Sequence, residues 1–170
     1  MEFLDLARTR RSVRDYLDKA VEEEKMQLIL EAGRMAPTAV NEQPQRIYVL
    51  KSPEAMEKIR NVTPMVYNAP VVLLICYDKR ISWKADRFGD VFDAGEMDAC
   101  IVTDHMMLQA TELGLGTLWI RGYKTRDVVA AFGLPEHIVP VCMLAIGYAN
   151  TEKPIKRTTR KPLSETMAEL

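Results

Sequence analysis

The sequence has few of the residues from which metal sites and disulfide frameworks are built. Its 170 residues include three cysteines and two histidines. Cys76, Cys100 and Cys142 lie among apolar neighbours without a C-x-x-C spacing, and His105 and His137 are far apart. This pattern predicts buried, reduced thiols in a cytoplasmic protein and excludes a disulfide framework. It also predicts no metal site, because neither histidine belongs to a recognisable ligand pattern.

An excess of charge of one sign is also missing. The chain has 23 lysines and arginines against 24 aspartates and glutamates, so its net charge is −1. A protein without a positive field attracts neither nucleic acid nor an anionic membrane surface over long range. We therefore expect no nucleic-acid partner, and any anion that binds must be held by a local cluster of charges.

Long hydrophobic runs are absent as well. The most apolar stretch, APVVLLICY at residues 69–77, is far shorter than the roughly 20 residues that span a bilayer. The opening residues MEFLDLARTRRS carry acidic side chains where a signal peptide would be basic. These features predict no membrane segment and no signal peptide, and the length favours one domain over residues 1–170.

What the sequence does contain is a mixture of helical and strand patterns. Apolar residues spaced three and four apart predict helices, and short runs of β-branched and apolar residues predict strands. Helices are predicted at residues 1–10, 18–36, 52–60, 96–114 and 125–133, and strands at residues 46–50, 69–77, 117–120 and 139–147. Strict alternation of strand and helix is absent, which indicates an α+β fold or a three-layer sandwich.

Local signals set several of these boundaries. Asp18 is predicted to cap the second helix, and Pro37 predicts that this helix stops at Ala36. Gly114 is predicted to end the fourth helix. Residues 78–95 show no clean period, so we expect a loop or broken helices that cover a ligand site.

The helix predicted at residues 96–114 keeps little polar surface, because its apolar residues fall on nearly every side. A surface helix in so small a domain should keep a polar stripe, so this helix is either central or shared with a second copy of the chain. We favour the shared helix, which predicts a homodimer. His105 lies inside this helix and is predicted to be a hydrogen-bonded core residue.

One weak motif can be set aside. The run GLGTLW at residues 114–119 is similar to the dinucleotide-binding pattern G-x-G-x-x-G. Trp119 occupies the position of the third glycine, and the run follows a predicted helix instead of a strand. The sequence therefore does not predict a Rossmann site.

Two basic clusters stand at opposite ends of the chain. The first consists of Arg8, Arg10, Arg11 and Arg14. The second consists of Lys153, Lys156, Arg157, Arg160 and Lys161. Each cluster is by itself typical of a solvated surface. If the fold brings both together, the arginine side chains and the free backbone amides at a helix end would form a phosphate site.

The segment APTAVNEQPQ, at residues 36–45, is a second candidate for a binding site. Pro37 fixes the backbone, Thr38 and Asn41 offer side-chain hydrogen bonds, and Gln43 can donate and accept at once. These groups suit a planar polar ligand. The same residue types are common in an ordinary helix-to-strand connection, so the segment by itself favours that simpler interpretation.

Taken in order, these motifs resemble the nitroreductase family of flavin enzymes. RRSVRDY, residues 10–16, is similar to its N-terminal R-x-S-x-[RK]-x-[FY] motif, and APTAVNEQPQRIYVL, residues 36–50, to its A-P-S/T-x-x-N-x-Q-P-W segment. DACIVTDHMMLQATELGLGTLWIRGY, residues 98–123, resembles its long helix and following turn. RTTRKPLSE, residues 157–165, resembles its C-terminal phosphate-contacting stretch. The resemblance covers nearly the whole chain in order.

The resemblance implies a homodimeric α+β fold, a three-layer α/β/α sandwich around a mostly antiparallel sheet. It implies FMN at the subunit interface, reduced by NADH or NADPH and reoxidised in ping-pong chemistry by a small planar acceptor, such as a nitroaromatic, a quinone or an enone. Gln45 stands where the family usually has Trp, and Arg121 stands where many relatives have Glu, so the acceptor is left open.

The resemblance also assigns residues to each part of FMN. Those assigned to the phosphate, the ribityl chain and the pyrimidine edge are Arg10, Arg11, Ser12, Arg14, Arg160 and Lys161. Those that would come from the other subunit are Pro37, Thr38, Ala39 and Asn41, with Gln43 as a further candidate. Those assigned to the isoalloxazine edge are Ile120, Arg121 and Gly122. We expect Arg14 to stabilise the negative charge that develops at the pyrimidine edge on reduction, and no protein acid or base is assigned.

Two other functions stay open at this point. A flavin-binding sensor or carrier without efficient turnover fits the shortened pocket region. A small interaction domain without a cofactor is the third possibility, in which both basic clusters are plain surface. Reduction of bound flavin by NADH or NADPH distinguishes an enzyme from a carrier, and flavin binding itself excludes the interaction domain.

Overall fold

The structure, a computed structural model, describes residues 2–86, 89, 91–152 and 158–169. These residues include five α-helices and four strands. The helices are α1 (Phe3–Thr9), α2 (Glu23–Met35), α3 (Pro53–Val62), α4 (Gly95–Glu112) and α5 (Thr125–Phe132). The strands are β1 (Gln45–Leu50), β2 (Val71–Asp78), β3 (Gly116–Ile120) and β4 (Ile138–Gly147). Every helix and strand predicted from the sequence is present, in the predicted order.

The strands form one sheet in the order β1, β2, β4, β3. All three neighbouring pairs are antiparallel. One further bridge, between Ser12 and Thr117, is parallel and lies at the outer edge of β3. The prediction of a mostly antiparallel sheet is therefore confirmed.

Alternate residues of β2 divide the protein interior into two layers. Val72, Leu74 and Cys76 pack with α3 and α5 on one face of the sheet. Leu73 and Ile75 pack with α2 and α4 on the other face. Because helices cover both faces, this strand is apolar without interruption. The predicted three-layer α/β/α sandwich is confirmed.

Helix α4 is central to its layer but is not enclosed. Val102 and Met106 are fully buried, whereas Met97 is 54% exposed. The His105 ring is hydrogen-bonded through Nδ1 to the carbonyl oxygen of Ile101 (3.0 Å), as predicted. The ring is only half-buried, however, so the placement of His105 in the core is wrong. The outer side of α4 keeps apolar surface, and the homodimer stays a prediction.

Three helix ends follow from local sequence, as predicted. The Ser52 hydroxyl accepts a hydrogen bond from the Ala55 amide (3.2 Å) at the start of α3. Ala36, which precedes Pro37, is extended and ends α2. Gly114 has a φ of +77°, the left-handed conformation that commonly follows a helix.

The predicted start of α2 at Asp18 is wrong, because the helix begins at Glu23. The Leu17 amide donates to the Tyr148 carbonyl (2.8 Å), which ties this stretch of chain to the end of β4. That bond holds the chain in a non-helical path past Asp18. The local sequence around Asp18 suggests a helix cap but gives no sign of this bond to a residue far along the chain.

The described residues between β2 and α4 form a loop, and its two ends are hydrogen-bonded to each other. Lys84 and Asp93 form an antiparallel bridge, and the Ala94 amide donates to the Trp83 carbonyl (2.9 Å). The loop was predicted, and its role as a cover for a ligand stays a prediction. Outside the described residues lie Lys153, Lys156 and Arg157 of the second basic cluster.

The cysteines are free thiols. Cys76 and Cys142 are buried as predicted, and burial raises the pKa of each to about 12, so neither is a thiolate at neutral pH. Cys100 on α4 is only half-buried. Within the described ranges, no helix combines the length and apolar character that a bilayer crossing requires.

Candidate functional site

The first basic cluster begins at the end of α1 and continues along the edge of β3. The Val13 amide donates to the Thr117 carbonyl (2.9 Å), and Ser12 pairs with Thr117 in the parallel bridge. The buried Val13 side chain packs on Gly116, where a Cβ atom would lie 2.6 Å from a Val13 methyl carbon. The absence of a side chain at Gly116 therefore lets the segment approach β3 closely.

This docking brings the two basic clusters together. Burial lowers the pKa of the half-buried Arg10, the charge of Arg160 lowers it further, and Asp104 partly opposes both effects. A cavity of about 370 Å³ lies at this place. It is lined by Leu4, Ala7, Arg8, Arg11, Thr158 and Arg160. The two clusters thus meet around one cavity, which is the condition that a phosphate site requires.

The positive charge at this cavity is only partly compensated. Arg8 contacts Asp5 at 3.4 Å, in an exposed pair. Among the ion pairs formed within the described ranges, none involves Arg10, Arg11 or Arg160. Like charges that are gathered without a close counterion favour an anion, since phosphate oxygens accept several guanidinium hydrogen bonds at once.

Arg14 and Lys161 lie at the margins of this cluster. Val13 is buried, so Ser12 and Arg14 project from the opposite, outward side of the extended segment. Arg14 is exposed, and its Nη1 donates to the Ser12 carbonyl at 3.4 Å. Lys161 pairs with Glu165 at 3.4 Å and is not among the residues that line the cavity.

The end of β3 holds the residues assigned to the isoalloxazine edge. Ile120 is buried and anchors the strand, whereas Arg121 and Gly122 are exposed. The Arg121 guanidinium lies 4.9 Å from the centre of the Tyr123 ring. A Cβ atom at Gly122 would lie 2.2 Å from the sulfur of Met65. A side chain at this position would therefore displace the flexible end of Met65.

The connection between α3 and β2, which sequence reasoning missed, links the end of β3 to the arginine segment. The Thr63 hydroxyl donates to the Gly122 carbonyl (2.9 Å). The Asn68 side chain accepts from the Tyr16 amide (3.0 Å) and donates to the Tyr16 carbonyl (2.7 Å). Between them, Tyr67 has φ 50° and ψ −138°, a strained conformation for a residue with a side chain. Its sequence is that of an ordinary Thr-Pro turn, so only its contacts with distant residues show that it supports the site.

The predicted loop after α2 lies at the start of α4. The Ala39 amide donates to Asp98 Oδ1 (2.9 Å), and the Gln43 amide donates to the Thr38 hydroxyl (3.1 Å). Three residues of this loop have positive φ although none is glycine, and they are Val40 (46°), Asn41 (61°) and Gln43 (51°). Such backbone is held by its surroundings, which here include α4.

Within one chain, the hydrogen bonds of this loop do not extend to the arginine cavity. Among the described residues, they are local or go to Asp98, Arg46 and Asp78, and none reaches Arg8, Arg11 or Arg160. Pro37 and Asn41 are both exposed. Both residues are therefore accessible to a ligand or to a second chain.

The sequence matches the Nitroreductase family at residues 7–64 and 63–148. The matched ranges contain most of the arginine segment, the loop after α2, the connection between α3 and β2, and all four strands. The chain therefore belongs to the nitroreductase family, as the motifs predicted.

Individual relatives agree with this membership. The crystal structure of a nitroreductase family protein from Clostridium difficile 630 has a TM-score of 0.92 and 38% identity, and covers 99% of this chain and 98% of its own. A protein from Desulfovibrio desulfuricans, solved in complex with FMN, has a TM-score of 0.84 and 28% identity over 100% of this chain and 97% of its own. A Methanothermobacter thermautotrophicus protein is 36% identical over 155 residues, which are 87% of this chain and 78% of that protein. It carries the provisional name NADH dehydrogenase/NAD(P)H nitroreductase.

Proposed function

We propose that this protein is an NAD(P)H-dependent FMN oxidoreductase that delivers electrons to a small planar acceptor. The observation that carries the proposal is the meeting of Arg11 and Arg160 around one cavity beside β3, with Arg10 close enough to Arg160 for their charges to interact. Membership of the nitroreductase family supports it. The FMN complex of the Desulfovibrio relative, which has a closely similar fold, supports the cofactor.

The side chains at the cavity fit the phosphate of FMN. A guanidinium group offers paired N–H donors that match phosphate oxygens. Arg10, Arg11 and Arg160 would hold the phosphate, and Lys161 would add to the positive field around it. A bound phosphate would also remove the unfavourable interaction between Arg10 and Arg160, so ligand binding and charge compensation favour the same state.

The remaining assigned residues would orient the ring system. Ser12 and Arg14 would contact the ribityl chain and the pyrimidine edge. Residues 120–122 would follow the isoalloxazine edge, where Gly122 presents backbone without a side chain. A cation held at the pyrimidine edge stabilises negative charge there without reorganising during the reaction, and we assign this role to Arg14.

Bound FMN would supply the redox chemistry, namely hydride uptake from NADH or NADPH and electron transfer to an acceptor such as a nitroaromatic, a quinone or an enone. The chain binds and orients the reacting groups, and hydride transfer requires no protein acid or base. Donor and acceptor would occupy the same place in turn, which predicts ping-pong kinetics.

The proposal includes a homodimer in which each site takes residues 37–43 from the partner. The exposure of Pro37 and Asn41 on this loop supports that arrangement. A groove of about 470 Å³ between α1, α2 and α4 supports a partner surface at this face. Its apolar lining consists of Phe3, Leu6, Ala32 and Leu108. Light scattering should give twice the mass of the chain.

Visible absorption of the purified protein tests the proposal directly. FMN is added, excess is removed, and NADH or NADPH is then supplied under nitrogen. We expect retained flavin bands that bleach with at least one nicotinamide. If the flavin bands persist with both NADH and NADPH, the protein is a flavin-binding carrier or sensor and not an enzyme. A protein that retains no FMN would overturn the proposal altogether.

A further inference from the structure

Asp98 is a buried carboxylate that the proposed chemistry does not use. It lies in the first turns of α4 and is 2% exposed. Its Oδ1 accepts the Ala39 amide at 2.9 Å, whereas its Oδ2 is buried and has no hydrogen-bond partner among the described residues. Burial raises the pKa of this carboxyl, and the bond from Ala39 opposes the rise. A carboxylate with an unpartnered buried oxygen is costly, so its position requires an explanation.

The backbone that Asp98 holds is strained. Val40, which follows Ala39, has a φ of 46° although its side chain is β-branched. The Asn41 amide donates to the Thr38 carbonyl (3.0 Å), so the turn is closed by local bonds. Among the hydrogen bonds of the described residues, the one from Ala39 to Asp98 ties the turn to α4. Strained backbone persists where the surroundings determine it, and it is frequent at ligand sites.

We propose that Asp98 is a positioning residue that holds residues 38–43 in the conformation that contacts FMN. The inference rests on the proposed function, because the loop is assigned to FMN only there. Without the bond, the loop would relax toward unstrained conformations. FMN would then bind only the competent fraction of the molecules, and its apparent Kd would rise in inverse proportion to that fraction.

The geometry requires an acceptor oxygen at this place and does not require a charge. Asp98→Asn keeps one oxygen for the Ala39 amide, whereas Asp98→Ala removes it. Ser52→Ala is the control, because the Ser52 hydroxyl accepts the Ala55 amide (3.2 Å) at the start of α3, which packs on the other face of the sheet. The control removes a side-chain-to-amide bond at a helix start without touching residues 38–43.

Two measurements on the full chain test the role. Amide hydrogen exchange at Ala39 in the FMN-free protein reports whether the loop is held. Titration with FMN reports whether holding it matters for the ligand. In Asp98→Ala we expect exchange at Ala39 to accelerate at least about tenfold and the Kd for FMN to rise roughly tenfold to a hundredfold. Asp98→Asn and Ser52→Ala should stay within about threefold of the wild type in both.

The outcomes separate this inference from the proposed function. Unchanged exchange at Ala39 in Asp98→Ala, or unchanged FMN affinity in that variant, overturns the positioning role alone. A wild-type chain that binds no FMN overturns the proposed function, and with it the ligand named here. If Asp98→Ala does not fold, Asp98→Ser serves in its place, because serine suits a first helical turn and its hydroxyl ends one atom short of the carboxylate oxygens.

Discussion

Two groups of arginines in this molecule have opposite electrostatic surroundings. At the end of β2, Arg80 donates to both carboxylate oxygens of Asp78 (3.0 and 2.7 Å), and Arg46 lies 3.9 Å from the same carboxylate. Beside β3, Arg10 and Arg160 are close enough for one to lower the pKa of the other. Neither has an ion pair among the described residues.

The difference separates a cluster that stabilises the fold from one that is prepared for a ligand. Opposite charges in hydrogen-bond contact stabilise the folded chain. Like charges that a neighbouring carboxylate, Asp104, only partly offsets raise its free energy until an anion binds, and such arrangements concentrate at functional sites. Removing one arginine should therefore lower stability at the first cluster and lower ligand affinity at the second.

The largest effect is expected from Arg10→Ala. The Kd for FMN should rise roughly tenfold to a hundredfold, because a charge-assisted hydrogen bond to the phosphate is lost. The melting temperature of the FMN-free protein should stay the same or increase slightly, because a repulsion is removed. Fluorescence titration and thermal melts of one preparation measure both. The control is Arg60→Ala, because Arg60 is an exposed arginine of α3. If Arg10→Ala lowers the stability and leaves the FMN affinity unchanged, the role of Arg10 is structural.

Arg80→Ala should give the reverse result, a lower melting temperature with FMN affinity retained. Asp78 is 2% exposed and would lose its main hydrogen-bond partner. Arg80 holds the pKa of the Asp78 carboxyl far below its ordinary value. The resulting stabilisation is complete above the unfolded pKa, about 4, and is lost as the pH falls through the folded pKa. Acid unfolding below about pH 4 should therefore be steeper in the wild type than in the variant. If the stability of the two proteins falls equally steeply with pH below about pH 4, this account is wrong.

The smallest effect tests the uncharged part of the same site. Val40 is 63% exposed, so Val40→Gly loses little packing and relieves a left-handed backbone. We expect the free energy of unfolding to rise by up to about 1 kcal/mol in urea titrations. FMN affinity should fall a few-fold, because a glycine leaves more loop conformations open. Val91→Gly, at an exposed valine that is not among the described positive-φ residues, should not stabilise the protein. A destabilised Val40→Gly would mean that the strain at this loop is small.

Much of the fold could be predicted because its signals are local. The uninterrupted apolar run that became β2 predicted a strand covered on both faces, and the Ser52-Pro53 pair predicted the start of α3. The start of α2 could not be predicted, since it depends on the bond from Leu17 to Tyr148 at the far end of the chain.

The candidate site divides in the same way. The arginine segment and the loop after α2 have recognisable sequence patterns. The meeting of the arginine segment with Arg160, however, depends on the packing of Val13 against β3. Asp98 looks in sequence like any acidic residue near a helix start, and Asn68 looks like a turn residue. Their importance lies in partners 59 and 52 positions away, which no local pattern contains.

The parallel bridge between Ser12 and Thr117 also has a consequence for the order of folding. Strand β3 enters the sheet by pairing with β4, the last strand of the chain, and only then offers an edge to Val13. Closing long loops is entropically costly, so we expect the contact between Ser12 and Thr117 to form late. The arginine cavity is then expected to be among the last parts of the molecule to assemble. A chain still being synthesised has no place for a phosphate, and FMN would stabilise only the finished protein.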